Sequence, residues 1–174
     1  MKNTQLDHQS HQASTTKLPL CFLAHNINDP INIGSLFRIA DALGVSKIFL
    51  TGSSSVPPNP KIKKTSRSAD QYVDYEFRED PTEIIGQLRT AGYKIISLEI
   101  TSTSLDIRKL KIQPTDKICL IPGSENRGVD QTLLSLSDST IHIPMLGNNS
   151  SMNVANATAI ASFEIFKELT STED

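Results

Sequence analysis

The sequence predicts an α/β protein built on a mostly parallel sheet flanked by helices. Two observations carry that expectation. Strand-length apolar runs alternate with segments of helical spacing from Leu18 to Leu169, which is the rhythm of successive βα units. The runs themselves, among them LPLCFLAHN, SKIFLTG and DKICLIPG, are apolar almost without alternation, as strands covered on both faces are. At 174 residues the chain can bury a sizeable core as one domain, and no repeat or linker divides it. A single domain over 18–174 is expected, preceded by a polar stretch over 1–17, MKNTQLDHQSHQASTTK, that reads as a disordered tail.

The elements follow in order. LPLCFLAHN is the first strand, and a helix runs from Asn32 to Leu43, where Gly44 stops it. SKIFLTG is a second strand. SSSVPPNPKIKKTSRSADQ reads as a long Ser/Pro-rich loop, of the kind that carries function or disorder. DPTEIIGQLRTAG is a helix with Pro81 in its first turn, followed by the strand YKIISLEI. DKICLIPG is a strand, GVDQTLLSLS a short helix and STIHIPM a strand. A last helix is expected from Met152 to Leu169, apolar on two faces and so buried in a core or a partner interface.

Composition removes several function classes. No apolar run approaches the roughly 20 residues of a membrane span, and the N-terminal stretch has no apolar segment of a signal peptide. Cys21 and Cys119 lie in apolar strands and read as buried cytosolic thiols, not as a disulfide or a zinc site. The four histidines, His8, His11, His25 and His142, form no metal constellation, and His142, placed mid-strand, reads as structural. No G-x-G occurs, so the dinucleotide fingerprint is absent, as is the Walker phosphate loop. The net charge of −2 argues against coating by nucleic acid, yet NPKIKKTSRSA carries Lys61, Lys63, Lys64 and Arg67 with no acid before Asp70. It is either a solvated charge run or a local basic surface.

Open α/β sheets bind ligands at the carboxyl ends of their strands, and three turns there have unusual residues. In NDPINIGSLFRIADALGV, Ile33, Leu36, Phe37, Ala40 and Leu43 form the apolar stripe and Arg38 points away from it. A purely structural account makes Asn32 an N-cap, Gly34 a close-packing residue and Arg38 the partner of Asp41. In LIPGSENRGVD a strand runs into Gly123, and Glu125 and Gly128 follow before the next helix. This is either a plain connection or a place where backbone approaches a ligand. In IPMLGNNSSMNVANATA, Pro144 removes a donor, Gly147 permits a turn, and the Asn/Ser run leads to a helix N-terminus suited to capping or anion binding.

Together the three turns resemble the SpoU/TrmH family of RNA 2′-O-ribose methyltransferases, of the SPOUT class. Asn32, Gly34 and Arg38 match its N-x-G-x-x-x-R motif, and Gly123, Glu125 and Gly128 its G-x-E-x-x-G. Ile143, Pro144, Met145, Gly147, Ser151, Asn153 and Val154 match I-P-M-x-G-x-x-x-S-L-N-V, with Met152 in place of Leu. That swap conserves volume. Order and spacing agree from Leu18 to Leu169.

The resemblance implies a SPOUT fold whose C-terminal segment is tied in a deep trefoil knot, a rare topology. It implies S-adenosyl-L-methionine as cofactor, bent between the second and third turns. Gly123, Ile143 and Met152 would hold the adenosine, with Glu125, Gly128, Met145 and Gly147 completing the cofactor site. Arg38, Asn32, Ser151 and Asn153 would form the catalytic set. Arg38 is a poor base, since guanidinium holds its proton above pH of about 12. Its expected role is to stabilise the developing 2′-alkoxide. Asn32 would orient Arg38 or the ribose, Glu125 would organise the turns, and Ser151 and Asn153 would contact the target nucleotide or shape the pocket. RNA is the implied partner, bound through Lys61, Lys63, Lys64 and Arg67. tRNA stands ahead of rRNA because the sequence shows no appended RNA-binding domain. A homodimer in the cytoplasm, with no metal and no membrane association, completes the expectation. The alternative is a catalytically silent RNA-binding dimer with the same fold.

Overall fold

The strand order shows where a site can form. In this computed structural model, which describes residues 16–171 together with Asn3, Thr4 and Ser14, seven strands make one sheet. They are β1 (Leu18–His25), β2 (Val45–Thr51), β3 (Tyr75–Arg78), β4 (Tyr93–Leu98), β5 (Leu105–Asp106), β6 (Lys117–Pro122) and β7 (Ser139–His142). Their spatial order is β3-β2-β1-β6-β4-β7-β5, and every pairing is parallel. The chain steps outward from β1 to β3, then crosses to β4 and leaves a slot that β6 fills. The connections therefore reverse direction beside β1 and β6, and the crevice at such a reversal is where α/β sheets bind ligands. Most of the polar stretch expected as a tail lies outside the described residues, as do 172–174.

Five helices cover the sheet: α1 (Pro30–Ala42), α2 (Pro60–Ser66), α3 (Pro81–Thr90), α4 (Gln131–Leu136) and α5 (Val154–Leu169). Alternation along each strand sorts the core into two layers. Leu20, Phe22 and Ala24 of β1 join Ile118 and Leu120 of β6 under α1, α2 and α5. Cys21, Leu23, Cys119 and Ile121 point the other way, against Ile84, Ile85 and Leu88 of α3 and Leu133 of α4. Both cysteines are free and buried, as the sequence suggests. The adjoining Cys21 thiol and burial push Cys119 well above the ordinary thiol range, which leaves it protonated and unreactive.

Several elements differ from the sequence expectation. The Ser/Pro-rich loop contains α2, capped by Asn59, whose side chain accepts from Lys61 N at 2.9 Å, with Pro60 in the first turn. Asn-Pro acts there as a cap followed by a first helical residue, not as a bend. The helix ends at Arg67 and Ser68, both left-handed at φ 54° and 74°, and Ser66 Oγ donates to the Asp70 carboxylate. The edge strands β3 and β5 were not expected. They are short, and β3 exposes Tyr75 and Phe77, so neither has the apolar run of a central strand. α1 is capped by Asp29, which accepts from Ile31 N at 2.9 Å, and not by Asn32, which lies inside the first turn. β7 ends at His142, before Pro144, and α5 begins at Val154 with Asn153 as its cap, so Met152 precedes the helix.

Gly34 brings α1 against α2. A Cβ there would lie 2.7 Å from Thr65 Cβ and 2.9 Å from the Ile62 carbonyl, closer than packed atoms approach. Gly86 of α3, by contrast, has nothing within 4 Å of its Cβ position. Gly34→Ala is expected to destabilise the fold by about 1–3 kcal/mol through overpacking. Gly86→Ala is expected to stabilise it by about 0.5–1 kcal/mol through helix propensity. Urea unfolding of both variants checks the opposite signs, and equal effects would mean the α1–α2 contact is not tight.

Candidate active site

The carboxyl ends of β4, β6 and β7 open into a cavity of about 510 Å³, the size of a small-ligand site. Of the residues matching the second motif, Gly123, Glu125 and Gly128 line it. Of those matching the third, Ile143, Met145, Ser151, Met152 and Asn153 do so. Gly147 does not; it sits in an exposed turn with nothing within 4 Å of its Cβ position. Leu98, Val154 and Ala157 supply apolar wall. The second turn is held shut by Ser124 and Gly128, whose backbones exchange hydrogen bonds of 2.9 and 3.0 Å. Gly128 takes φ 65°, the left-handed region a side chain resists.

One buried side chain joins the three turns. Asn32 is 6% exposed, and its Nδ2 donates to Glu125 Oε1 at 2.6 Å while its Oδ1 accepts from Asn153 Nδ2 at 3.0 Å. Asn153 in turn caps α5, its Oδ1 accepting from Ala155 N at 2.9 Å and Asn156 N at 3.2 Å. The amides of Asn32 and Asn153 are thus engaged inside the protein, with Asn32 turned to Glu125 and not to Arg38. Glu125 and Asn153 are linked through the Asn32 amide.

Arg38 stands elsewhere. It is exposed on α1, outside the cavity lining, and its guanidinium has no hydrogen bond or ion pair among the described residues, so the Asp41 pairing does not form. It shares a helix face with Ile31, seven residues earlier. Ile31 borders a second, open concavity with Lys61, Lys64, Thr65 and Arg67. Lys63 is exposed on the same helix, α2, but outside that concavity. No ion pair neutralises these four cations among the described residues.

Two titratable residues of the cavity lining lie outside the expected site: Glu99, which the sequence does not single out, and His142, which reads there as structural. Glu99 follows β4, and His142, at the end of β7, bonds through Nδ1 to Ser104 Oγ at 2.9 Å. Both fall inside expected strands, YKIISLEI and STIHIPM, whereas β4 and β7 end at Leu98 and His142, and neither residue belongs to a recognisable motif. Among the described residues there is no cluster of metal-binding side chains and no helix long and apolar enough to cross a membrane.

A family profile described as the SpoU rRNA Methylase family matches residues 19–163, most of the chain. The chain belongs to the SpoU family. A curated relative, an uncharacterized tRNA/rRNA methyltransferase of Borreliella burgdorferi, is 34% identical over 147 residues, which cover 84% of this chain and 63% of that protein. The SpoU methyltransferase AviRb from Streptomyces viridochromogenes, solved in complex with AdoMet, superposes with a TM-score of 0.79 at 26% identity, covering 93% of this chain and 64% of that one. An AdoMet-bound rRNA methyltransferase from Sinorhizobium meliloti gives 0.80 at 25%, covering 94% and 60%. The chain thus spans under two thirds of these SpoU relatives.

The Asn32 bridge makes a direct prediction for this SpoU chain. Asn32→Ala strands Glu125 and Asn153 without their shared partner, and is expected to cost about 1–3 kcal/mol. In a double-mutant cycle with Glu125→Ala, coupling of about 0.5–3 kcal/mol is expected. Additive losses in chemical denaturation would mean the bridge does not form in solution.

Proposed function

We propose that this chain transfers a methyl group from S-adenosyl-L-methionine to a ribose 2′-hydroxyl of RNA. The observation that carries the reading is the Asn32 bridge, which ties all three motif turns together beside one cavity. Its apolar walls and backbone-rich turns suit a nucleoside with a short side chain, with Gly123, Ile143 and Met152 around the adenosine. The same reading includes the threaded C-terminal segment that the family resemblance implies. When bound, the cofactor supplies a methyl group on a sulfonium, already a good leaving group. The protein's task is to align the 2′-oxygen in line with that methyl and to favour the alkoxide as its proton leaves, with an RNA phosphate as acceptor.

Arg38 provides the positive charge for that alkoxide. It does not line its own chain's cavity, so the reading calls for a second copy to carry the guanidinium to the cofactor. Exposed Ile160 and Phe163 on α5, at 41% and 51%, and Ile31 on α1, at 49%, offer apolar surface for such a homodimer. Lys61, Lys64 and Arg67 around Ile31 then form an RNA-facing surface, with Lys63 beside it. Phosphate contacts of this kind supply affinity that falls with salt. The substrate is proposed to be tRNA ahead of rRNA, and the working compartment the cytoplasm.

Incubation with methyl-labelled cofactor and separate tRNA and rRNA pools tests the reaction. Label mapped to a 2′-O-methyl nucleotide in one pool is expected, and label on a base would overturn the ribose assignment. Cofactor and RNA binding without transfer would mark the silent RNA-binding dimer instead. Arg38→Ala is expected to lower turnover by about 10²–10³-fold while cofactor affinity stays unchanged. In mixed dimers, Arg38→Ala subunits combined with Gly128→Val subunits should recover activity if the cation crosses the interface, and recovery of none would place Arg38 with its own cavity. Neutralising Lys61, Lys64 and Arg67 together should flatten the salt dependence of RNA binding by about 2–3 in log–log slope; an unaltered slope would remove them from the RNA surface.

A further inference from the structure

We propose that Glu99 receives the ribose hydroxyls of the adenosine in this cavity, an assignment that rests on the cofactor reading above. Glu99 is fixed at the carboxyl end of the sheet, where its backbone N–H donates to the Ile141 carbonyl at 2.9 Å. Its side chain reaches across from β4 to the turn after β6. There Oε2 accepts from Val129 N at 3.0 Å, while Oε1 accepts from Ile100 N at 2.8 Å. The two glycines of the second motif leave the room it occupies. A Cβ on Gly123 would stand 2.8 Å from Oε2, and one on Gly128 would collide with the same oxygen. In this chain those glycines seat a carboxylate.

That carboxylate is half-buried, lines the cavity, and has no cationic partner among the described residues. An ionised carboxylate has about four acceptor positions, and the protein fills two of them. The remaining positions face the cavity, where water fills them in the empty site and a ligand's donors can replace it. In the cofactor the candidates are the vicinal ribose hydroxyls and the ammonium of the methionine end. Glu99 abuts Gly123, where the reading places the adenosine, so the hydroxyl pair is the donor within reach. Two O–H groups on adjacent carbons suit one carboxylate edge, and hydrogen bonds to a charged acceptor are about twice as strong as neutral ones.

The test is calorimetric titration of the full chain with S-adenosylhomocysteine, its 2′-deoxy and 3′-deoxy forms, and 5′-methylthioadenosine, which lacks the ammonium. For the wild type, removing at least one hydroxyl should weaken binding by about 10–100-fold. Glu99→Gln keeps an oxygen for Val129 N but replaces the charged acceptor beside Ile100 N and the hydroxyls with an NH2 group. In that variant the same removal should cost less than about 3-fold, and methylthioadenosine should weaken in step with S-adenosylhomocysteine. Glu99→Ala gives the same comparison where it folds, and Glu99→Gln suffices where it does not. A deoxy penalty unchanged in Glu99→Gln would overturn the assignment. So would loss confined to S-adenosylhomocysteine with methylthioadenosine unaffected, which would place the ammonium at Glu99. A wild type that binds none of the four ligands would overturn the cofactor reading itself, a result distinct from both.

Discussion

The site depends on one amide. Asn32 is the buried side chain that holds the turn after β6 and the cap of α5 in fixed relation to α1. Each of those segments is short of regular structure and rich in Gly, Asn and Ser, so none would hold its shape alone. Their common anchor is a residue that both donates and accepts, which explains an asparagine there and not an aspartate: an acid would face Glu125 with like charge. Apolar packing of α1 and α5 on the sheet supplies the rigidity behind that anchor.

The sheet order then determines what the anchor can reach. Filling the slot between β1 and β4 with β6 sets the ends of β1 and β6 side by side, and β4 lies between β6 and β7. The parallel arrangement sends every strand's carboxyl end to one rim. Residues far apart in sequence, such as Glu99, Gly123 and Met152, share a cavity for that reason.

Much of this was legible in the residues. The central strands, α1, α3 and α4 announce themselves through apolar runs and periodicity, and the second and third motifs lie at the rim where the cavity opens. The unread parts each have a physical cause. The helix at Pro60 looked like a loop because Ser and Pro surround it, and Asn59 and Pro60 suit a bend as well as a cap. β3 and β5 are edge strands with little to bury. Asn32 looked like a cap because that is what an asparagine before an apolar stripe most often is; its real partners lie 93 and 121 residues away, a distance no local pattern encodes. Glu99 bears no motif at all, since its place follows from the glycines opposite it. The alternating faces of the first helix put Arg38 on the surface, but no sequence pattern locates it relative to the cavity.

The long reach of the Asn32–Asn153 bond has a consequence for how the protein is made. A nascent chain exposes β1, α1 and the basic α2 long before residues 143–157 leave the ribosome. Until that last segment arrives, α1 has no α5 to rest on and the cavity lacks one wall. The wall and the anchor of the cavity therefore arrive together, 121 residues after the amide they bond to.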